Sequence, residues 1–466
     1  MKKVAFVLVI AVVFVFAFVA FGHDGVANAT RLYQLPLPSI SSGFQIQNLG
    51  AVTATVSLQY YDSTGAAAYS TSDQLGGNAS KSYYVPNVLP KPNGRYSLVV
   101  SSDQPLNVLV NENSSAGVAT YIAASHHGVK DNEAAPVIYM PWALANYYGY
   151  DAMLAVQNAG SVAGDIAVDF YFAGTSTPQK TYTQTNVPVG GVFYLDLSTA
   201  PYRSDLATGH ANGFYGFAVA RSSQKLAAAV NYTNPSRNQL SSYNGVANGG
   251  ASLVAPQVTK NYYGFNYGLT AVNLESHPIT LTVSYYASGA TSPAFVQTVP
   301  VAANALWNQY LGGLVGLPDN FNGSAIIQAT GNVVGIATST SSVGQADSYN
   351  LFPTSAANMT LYLPQIVRAY YGYQSGWQVV NTVGTTATIQ IKYYAGGATT
   401  PLYTQNLTLG PNAAWTNYLG AGLGTPLGTN FNGGAVISSN QPLVGIANFV
   451  APNAGDSLQI YDAFTP

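Results

Sequence analysis

The sequence predicts an all-β protein built from four tandem copies of one module, and two spacings support this. An Asn that closes an apolar run is followed 12 residues later by an aromatic pair, and this happens four times. An Asn-Gly pair that opens an apolar run recurs at intervals of 119, 110 and 110 residues. Repeats at a nearly fixed period indicate a repeated structural unit. The markers begin at Asn48, Asn158, Asn273 and Asn381 for the first spacing, and at Asn93, Asn212, Asn322 and Asn432 for the second.

The N-terminus has the layout of a secretory signal peptide. Lys2 and Lys3 precede 18 apolar residues, which are followed by the small-residue sequence Ala27-Asn28-Ala29. This order predicts a signal peptide over residues 1–29, cleaved after Ala29, and export of the rest of the chain. Because 18 apolar residues just reach the length of a membrane span, an uncleaved N-terminal anchor is the alternative. In that case alone the chain would contact a membrane.

Within each copy the apolar residues alternate, as they do in half-buried strands. In residues 279–285, for example, one face is aliphatic and aromatic and the other is small or polar. Successive side chains of a strand point to opposite faces, so the first aromatic of each pair is predicted in the core and the second is predicted to point outward. The four outward tyrosines are Tyr61, Tyr171, Tyr286 and Tyr394.

Other segments complete the predicted module. Each copy opens with an apolar segment that ends in Pro, which suits the edge or end of a strand. After the Asn-Gly pair, two apolar runs joined by a turn predict a hairpin, as in residues 435–437 and 443–447. About seven short strands per copy without a helical stripe predict an immunoglobulin-like β-sandwich, and short linkers predict a stiff rod. The predicted modules span residues 30–131, 135–248, 251–355 and 358–466.

The composition is unusually neutral. Charged residues make up 7% of the chain and the formal net charge is -2, whereas roughly 25% charged residues is usual. Copies of such a protein hardly repel one another, so we expect a surface rich in neutral polar groups and tyrosines that favours association between chains. The absence of basic runs argues against a nucleic-acid partner. With no Cys in the chain, stability has to come from packed sheets rather than disulfides.

Copies two to four each contain a Tyr-Tyr-Gly sequence that copy one lacks. The distance from the opening Pro to the landmark Asn is 17 residues in those copies and 12 in copy one. Copy one has no predecessor, so we expect this loop to pack on the preceding module; the alternative is simply a shorter loop. With the four outward tyrosines, the candidate interface residues are Tyr147, Tyr148, Tyr262, Tyr263, Tyr370 and Tyr371.

No pattern in the sequence predicts catalysis. Five scattered His and no Cys make a metal site improbable. Nucleophile-elbow and phosphate-loop motifs are missing, and the carboxylates are thinly spread, so we expect no catalytic residue, no cofactor and no enzymatic activity. Asn-X-Ser/Thr triplets permit surface glycosylation. Those after the leader begin at Asn78, Asn113, Asn231, Asn322, Asn358 and Asn406.

The repeated sequences FNGSAII and VVGIA of copy three, and FNGGAVISSNQPLVGIA of copy four, resemble the tandem immunoglobulin-like surface repeats of secreted bacterial proteins. The resemblance covers all four copies and implies a secreted or cell-surface location, but it transfers no activity.

We therefore expect an exported structural protein of a surface filament or layer, in which Tyr-rich neutral sandwiches pack between chains. Its partners would be other copies of itself or cell-surface components. The alternative is a carbohydrate-binding adhesin that uses exposed aromatics on a polysaccharide. A further hypothesis is that Arg31 to Leu37, an apolar stretch before any complete module, adds to a sheet of a neighbouring subunit.

Overall fold

The computed structural model describes residues 5–9, 40–114, 121–420, 426–451 and 455–466. Apart from the strand Ala5–Val9, the predicted signal peptide lies outside the described residues, as do its cleavage site and the segment from Arg31 to Leu37. Strands dominate the described chain, which confirms the prediction of an all-β protein. No helix among the described residues is long and apolar enough to span a bilayer.

Modules 1 and 2 comprise residues 40–130 and 135–246, and the strand β1 pairs with module 1. Each has one short helix, Val85–Val88 and Tyr202–Ala207. The strands of module 1 are β1 (Ala5–Val9), β2 (Ile40–Asn48), β3 (Ala54–Asp62), β4 (Ala67–Leu75), β5 (Ser80–Tyr84), β6 (Tyr96–Ser102), β7 (Leu106–Ser114), β8 (Ala123–His127) and β9 (Val129–Lys130). Those of module 2 are β10 (Ala135–Ala145), β11 (Asp151–Asn158), β12 (Gly164–Phe172), β13 (Lys180–Val187), β14 (Val192–Asp196), β15 (Phe214–Asn234) and β16 (Gln239–Asn244).

Modules 3 and 4 comprise residues 250–353 and 358–464, with 3-10 turns at Leu311–Gly313 and Thr354–Ala356. The strands of module 3 are β17 (Gly250–Lys260), β18 (Phe265–Asn273), β19 (Ile279–Ala287), β20 (Phe295–Val301), β21 (Leu306–Tyr310), β22 (Phe321–Ser341), β23 (Ala346–Asn350) and β24 (Phe352–Pro353). Those of module 4 are β25 (Asn358–Tyr370), β26 (Tyr373–Asn381), β27 (Ala387–Ala395), β28 (Tyr403–Leu409), β29 (Ala414–Tyr418), β30 (Phe431–Val450) and β31 (Gln459–Asp462).

Antiparallel pairing divides each module into two layers. In module 3 one layer has the order β20-β19-β22-β17 and the other has β21-β18-β22-β23. The long strand β22 belongs to both, because residues 323–329 pair with β19 and residues 333–341 pair with β18. Modules 2 and 4 repeat this arrangement with β15 and β30, and module 1 repeats it with β6 and β7. The apolar core of each module lies between its layers.

The predicted hairpin is wrong. Its two arms in module 4, residues 435–437 and 443–447, pair with β27 and β26 respectively and not with each other. The chain therefore passes from one layer to the other at the intervening turn. In an immunoglobulin domain the sixth and seventh strands share a sheet, so the strand connectivity here differs from the expected one. Two apolar runs joined by a turn have the same sequence pattern in either case.

The landmark Asn ties strand ends together. Asn273 ends β18 with its side chain buried, and its Nδ2 donates to the carbonyl oxygens of His277 and Ala302 at 2.9 and 2.8 Å. Its Oδ1 accepts the N–H of Glu275 at 2.9 Å. Asn48, Asn158 and Asn381 make the corresponding bonds. A side chain that joins three segments explains why this residue recurs.

The glycine of the Asn-Gly pair lies in a strand in some modules and in a turn in another. In modules 3 and 4 the glycine lies in a strand, where an added Cβ at Gly323 would come within 1.9 Å of the Tyr286 carbonyl oxygen. In module 2 the equivalent residue is Gly216, where an added Cβ would come as close to the Tyr171 carbonyl oxygen. Gly213 instead belongs to the turn before β15. The Asn-Gly pair of module 2 therefore lies a few residues before the position that is equivalent to Gly323.

The four modules close a ring instead of forming the predicted rod. Their closing strands meet at the centre, where β8 packs against β16, β16 against β23, β23 against β31, and β31 against β8. One contact recurs around the ring. Gln378 of module 4 donates its amide to the Pro256 carbonyl of module 3. Gln45 of module 1 does the same to Pro364 of module 4, so the first and last modules are neighbours.

One carboxylate at the ring axis contacts all four modules. Asp347 of β23 is fully buried, and its two oxygens accept four backbone N–H groups. Burial raises the pKa of Asp347 well above its usual value, and the backbone donors oppose that rise because they stabilise the carboxylate. The donors are Ser125 of module 1 (3.2 Å), Ser242 of module 2 (3.0 Å), Ser348 of its own strand (2.8 Å) and Ile460 of module 4 (2.6 Å).

Replacing Asp347 with Ala is expected to destabilise the whole ring. The change leaves four backbone N–H groups without this acceptor, and each buried unsatisfied donor costs about 1–3 kcal/mol. We expect the free energy of unfolding, measured by chemical denaturation, to fall by at least about 3 kcal/mol. The control Asp103→Ala removes an exposed carboxylate that accepts from Thr55, and it should cost less than about 1 kcal/mol. Equal losses in the two variants would contradict the role of the axial carboxylate.

A second buried carboxyl group makes stability depend on pH. Glu112 of β7 is fully buried and accepts the side-chain amide of Asn231 in module 2 at 2.6 Å. Burial raises the pKa of Glu112 to about 8 from 4.5. Between these values the folded protein keeps a proton that the unfolded chain has released, so this group lowers stability as the pH rises, by about 1.4 kcal/mol per pH unit.

The variant Glu112→Gln should remove this dependence. We subtract the free energy of unfolding of the unmodified protein from that of the variant. This difference is expected to increase from about pH 5 to about pH 8, by roughly 1 kcal/mol per pH unit. Denaturant titrations over this pH series measure the difference. Asp103→Asn, which removes a carboxylate at an exposed position, is the control. A flat difference for Glu112→Gln would show that Glu112 ionises normally in the folded ring.

Candidate binding site in the tyrosine clefts between modules

In modules 1 to 3 the second tyrosine of the aromatic pair lies between modules of the ring. Tyr171 of module 2 stacks on Phe217, with ring centroids 4.6 Å apart, and packs in one apolar cluster with Val334 of module 3. Tyr286 of module 3 packs in a similar cluster with Val380 of module 4. These side chains leave their own core, but the surface that they meet is another module of the same chain.

The other two tyrosines of this group are also used inside the ring. The Tyr61 ring lies against Gly190 of module 2, where an added Cβ would come within 2.9 Å of it. Tyr394 is only 8% exposed, so the expectation that it points to solvent is wrong. Tyr61, Tyr171 and Tyr286 are half-buried and Tyr394 is buried, so less of their surface is left for other chains, and contacts between chains through these four residues stay a prediction.

The Tyr-Tyr-Gly sequences form tight hairpin turns with an unusual backbone. In the second module, Tyr147 and Tyr150 exchange both backbone hydrogen bonds, at 3.0 and 2.9 Å, around Tyr148 and Gly149. Tyr148 and Gly149 have φ of 48° and 83°, which is the type I′ geometry that favours Asn-Gly. Tyr263 and Tyr371 have the same φ of 48°. A bulky residue at positive φ is strained, and such strain is typical of functional sites.

These turns present their second tyrosine to solvent. Tyr148, Tyr263 and Tyr371 are 64%, 85% and 85% exposed. Each makes an edge contact with the preceding tyrosine, Tyr147, Tyr262 or Tyr370, at 4.7 Å between ring centroids.

The turns border clefts that face the following module. The cleft between modules 3 and 4 has a volume of about 490 Å³ and is lined by Tyr262, Tyr263 and Phe265 from one side and by Thr416 and Tyr418 from the other. The expectation that these loops pack on the preceding module is therefore wrong. A cleft between modules 2 and 3, of about 190 Å³, is lined in the same way by Tyr147, Tyr148, Trp142, Asn308 and Tyr310.

A second set of tyrosines lies at the ends of short strands, and two of them, Tyr310 and Tyr418, complete these clefts. Tyr84, Tyr310 and Tyr418 end the short strands β5, β21 and β29, and they are 46%, 52% and 46% exposed. Together with the three turn tyrosines they are the only tyrosines among the described residues that are exposed. The chain contains 35 tyrosines, so the expected tyrosine coat is confined to these places.

Sequence reasoning missed the second set. The short strand that carries it was not among the seven predicted strands. A signal was present, because Trp307-Asn-Gln-Tyr310-Leu-Gly and Trp415-Thr-Asn-Tyr418-Leu-Gly repeat the same spacing. Only the ring brings the ends of these strands beside the turns of the preceding module.

The interface between modules 1 and 2 differs from the others. Module 1 has no Tyr-Tyr-Gly turn, and Asp196 of module 2 stands at the strand position that Tyr310 and Tyr418 occupy in modules 3 and 4. Arg95 of module 1 pairs with Asp196 at 3.7 Å and lies over the Tyr194 ring at 5.2 Å. An ion pair thus replaces the exposed tyrosines at this interface.

The two clefts are chemically neutral. No charged residue is among the described residues that line them. Polar groups are present as amides and hydroxyls, including Asn308, Thr340, Thr416 and Asn448. No group of three or more His, Asp or Glu within the described chain is arranged to hold a metal ion. Flat aromatic faces beside neutral hydrogen-bonding groups suit an uncharged ligand with both apolar and hydroxyl-bearing surfaces.

The glycosylation triplets occupy varied positions. Asn231 is buried and donates to Glu112, so the prediction that it is an acceptor site is wrong for the folded protein. Asn406 is exposed on the strand β28. The other four acceptor positions are half-buried, and glycosylation there stays a prediction: Asn78, Asn113, Asn322 and Asn358.

Comparisons with known proteins add little to this geometry. No protein-family model matches the chain, and no curated protein matches it. A solved structure from Thermotoga maritima is 18% identical over 24% of this chain and 96% of its own, with a TM-score of 0.20. A tetra-tandem repeat from the extending region of a large adhesion protein is 14% identical over 94% of this chain and 97% of its own, with a TM-score of 0.11. The major pilin of Streptococcus pyogenes is 8% identical over 81% of this chain and 97% of its own, with a TM-score of 0.12.

The turn tyrosines should lower stability at their own positions. Asn tolerates positive φ better than Tyr, so Tyr263→Asn is expected to raise the free energy of unfolding by about 0.5–1 kcal/mol. Tyr418→Asn is the matched control, because Tyr418 is also exposed but ends a strand, where Asn is disfavoured. Chemical denaturation of both variants measures the contrast. A loss of stability in Tyr263→Asn would mean that the tyrosine is kept for packing.

Proposed function

We propose that the protein is an exported adhesive protein of the cell surface that binds neutral polysaccharide through the tyrosine clefts. The observation that supports this proposal is that four of the six exposed tyrosines of the described chain form two equivalent pairs. Each pair joins a turn of one module with a strand end of the next: Tyr148 with Tyr310, and Tyr263 with Tyr418. The remaining two, Tyr371 and Tyr84, occupy the corresponding positions of the repeat in modules 4 and 1.

Sugar rings have apolar C–H faces and hydroxyl edges. An exposed tyrosine offers a flat apolar surface to such a face, and side-chain amides and hydroxyls offer hydrogen bonds to the edges. The strained backbone at Tyr148, Tyr263 and Tyr371 supports the same proposal, since local stability alone would favour Asn there. Repetition at several interfaces suits a polymer, because several weak contacts on one chain combine into strong retention.

Packing between chains through the outward tyrosines was the sequence-based expectation. That mechanism has less support, since the ring already uses Tyr61, Tyr171, Tyr286 and Tyr394. The neutral composition suits either role.

The proposal predicts that removal of one tyrosine pair weakens binding to polysaccharide. The test is affinity electrophoresis of the exported protein through gels that contain cellulose derivatives, xylan, dextran or starch. For the retaining polymer, we expect Tyr263→Ala with Tyr418→Ala to raise the dissociation constant at least about tenfold, equal to about 1.4 kcal/mol.

The matched control is Asp196→Asn, which alters the equivalent position at the interface without exposed tyrosines. It should leave retention unchanged. The proposal fails if no neutral polysaccharide retains the protein, or if the double variant and the control migrate alike.

A further inference from the structure

Module 1 lacks an opening strand of its own among the described residues. In modules 2, 3 and 4 the opening strands β10, β17 and β25 pair with β15, β22 and β30. The corresponding place beside β6 is filled by β1, Ala5–Val9, which comes from the N-terminal leader. We define the acceptor groove as the space between β6, Tyr96–Ser102, and β9, Val129–Lys130.

The residue pairings show that β1 occupies in module 1 the sheet position that the opening strand occupies in the other three modules. Val254 of module 3 pairs with Ile326 on one side and with Phe352 on the other. Leu8 of the leader pairs in the same way with Val99 and Val129. In modules 2 and 4 the residues in this position are Tyr139 and Tyr362. All three residues outside the leader stand two positions before the opening Pro.

The sequence supplies a second candidate for the groove. Leu32-Tyr33-Gln34-Leu35-Pro36 repeats the opening pattern of an apolar segment that ends in Pro. Gln34 stands two positions before its Pro, and it therefore corresponds to Leu8, Tyr139, Val254 and Tyr362. Once the predicted signal peptide is removed, this segment is the remaining stretch with the opening pattern.

The chain length hinders this segment from filling its own groove. Phe265, the first residue of β18, lies nine positions after Pro256, whereas Ile40, the first residue of β2, lies four positions after Pro36. In module 3 this stretch continues the ladder as far as Lys260 opposite Phe321 before it turns back. Four residues span at most about 14 Å, so module 1 cannot repeat that path with its own segment.

Module 1 also lacks the residue that locks an opening strand in place. Buried tyrosines of the closing strands donate to the carbonyl oxygen of the residue after the opening Pro: Tyr243 to Trp142, Tyr349 to Gln257 and Tyr461 to Gln365. In module 1 the equivalent position holds His126, whose Nδ1 lies 3.0 Å from the Ser242 hydroxyl of module 2. The module without its own opening strand is the one without this tyrosine.

We propose that, after removal of the leader, the acceptor groove binds residues 32–36 of a second copy of this chain. The added strand completes one sheet of module 1 by backbone hydrogen bonds, as strands added to an open sheet edge do. The contact links the N-terminal segment of one ring to module 1 of another. This role is independent of the tyrosine clefts, which lie at other interfaces.

A disulfide test suits this chain because it has no Cys, so any disulfide must join the introduced residues. Gln34→Cys in one population and Val99→Cys in another place the two thiols opposite each other across the proposed pair. Paired residues of adjacent strands have Cβ atoms about 4.5–5.5 Å apart, close to the separation of disulfide-linked residues. The two variants are co-expressed and exported, the processed N-terminus is checked by mass spectrometry, and the protein is oxidised.

The expected result is a bond between copies that joins positions 34 and 99, identified in linked peptides, at least tenfold above the control. The control pairs Gln34→Cys with Val436→Cys, whose neighbouring place is already occupied by Tyr362. The inference is overturned if the bond forms only when both substitutions are on one chain, which would place the segment in its own groove. It is equally overturned if no 34–99 bond forms, including the case in which the leader is retained.

Discussion

Hydrogen bonds at the ring axis are the constraint on which the architecture depends. Asp347 accepts backbone N–H groups from the closing strands of all four modules, and Asp456 of module 4 accepts those of Leu240 and Ala346. A buried carboxylate is tolerated only where such donors surround it. The modules must therefore meet around one centre, and the contacts between the first and last modules follow from that requirement.

Ring closure accounts for how the chain uses its tyrosines. In a rod, the second aromatic of each pair would stay in water or meet another chain. In the ring, Tyr171 and Tyr286 pack against the next module, so two interfaces are built from a residue that each module repeats. The same closure brings turns such as Tyr263 beside strand ends such as Tyr418. A few exposed tyrosines are thereby gathered into clefts on a neutral protein.

The first module departs from the others in several connected ways. Its segment between the opening Pro and Asn48 is shorter than in the other copies and contains no Tyr-Tyr-Gly sequence. An ion pair, Arg95 with Asp196, stands at its interface with module 2, and His126 stands where the other modules have the locking tyrosine. The interface between modules 1 and 2 is thus unlike the two that hold the tyrosine clefts, and module 1 is also the module whose sheet edge pairs with residues 5–9.

The sequence by itself determined most of the strands, the repeat and the residues that face each module's own core, because these depend on the alternation of neighbouring side chains and on local turns. It identified Tyr60 and Tyr285 as core residues and the turn tyrosine Tyr263 as a candidate. Only the tertiary structure decided that the arms of the expected hairpin lie in different layers, that Tyr394 is covered, and that Tyr418 shares a cleft with Tyr263. These outcomes depend on contacts between residues far apart in the chain, and a two-residue period carries no information about which distant surface covers an outward side chain.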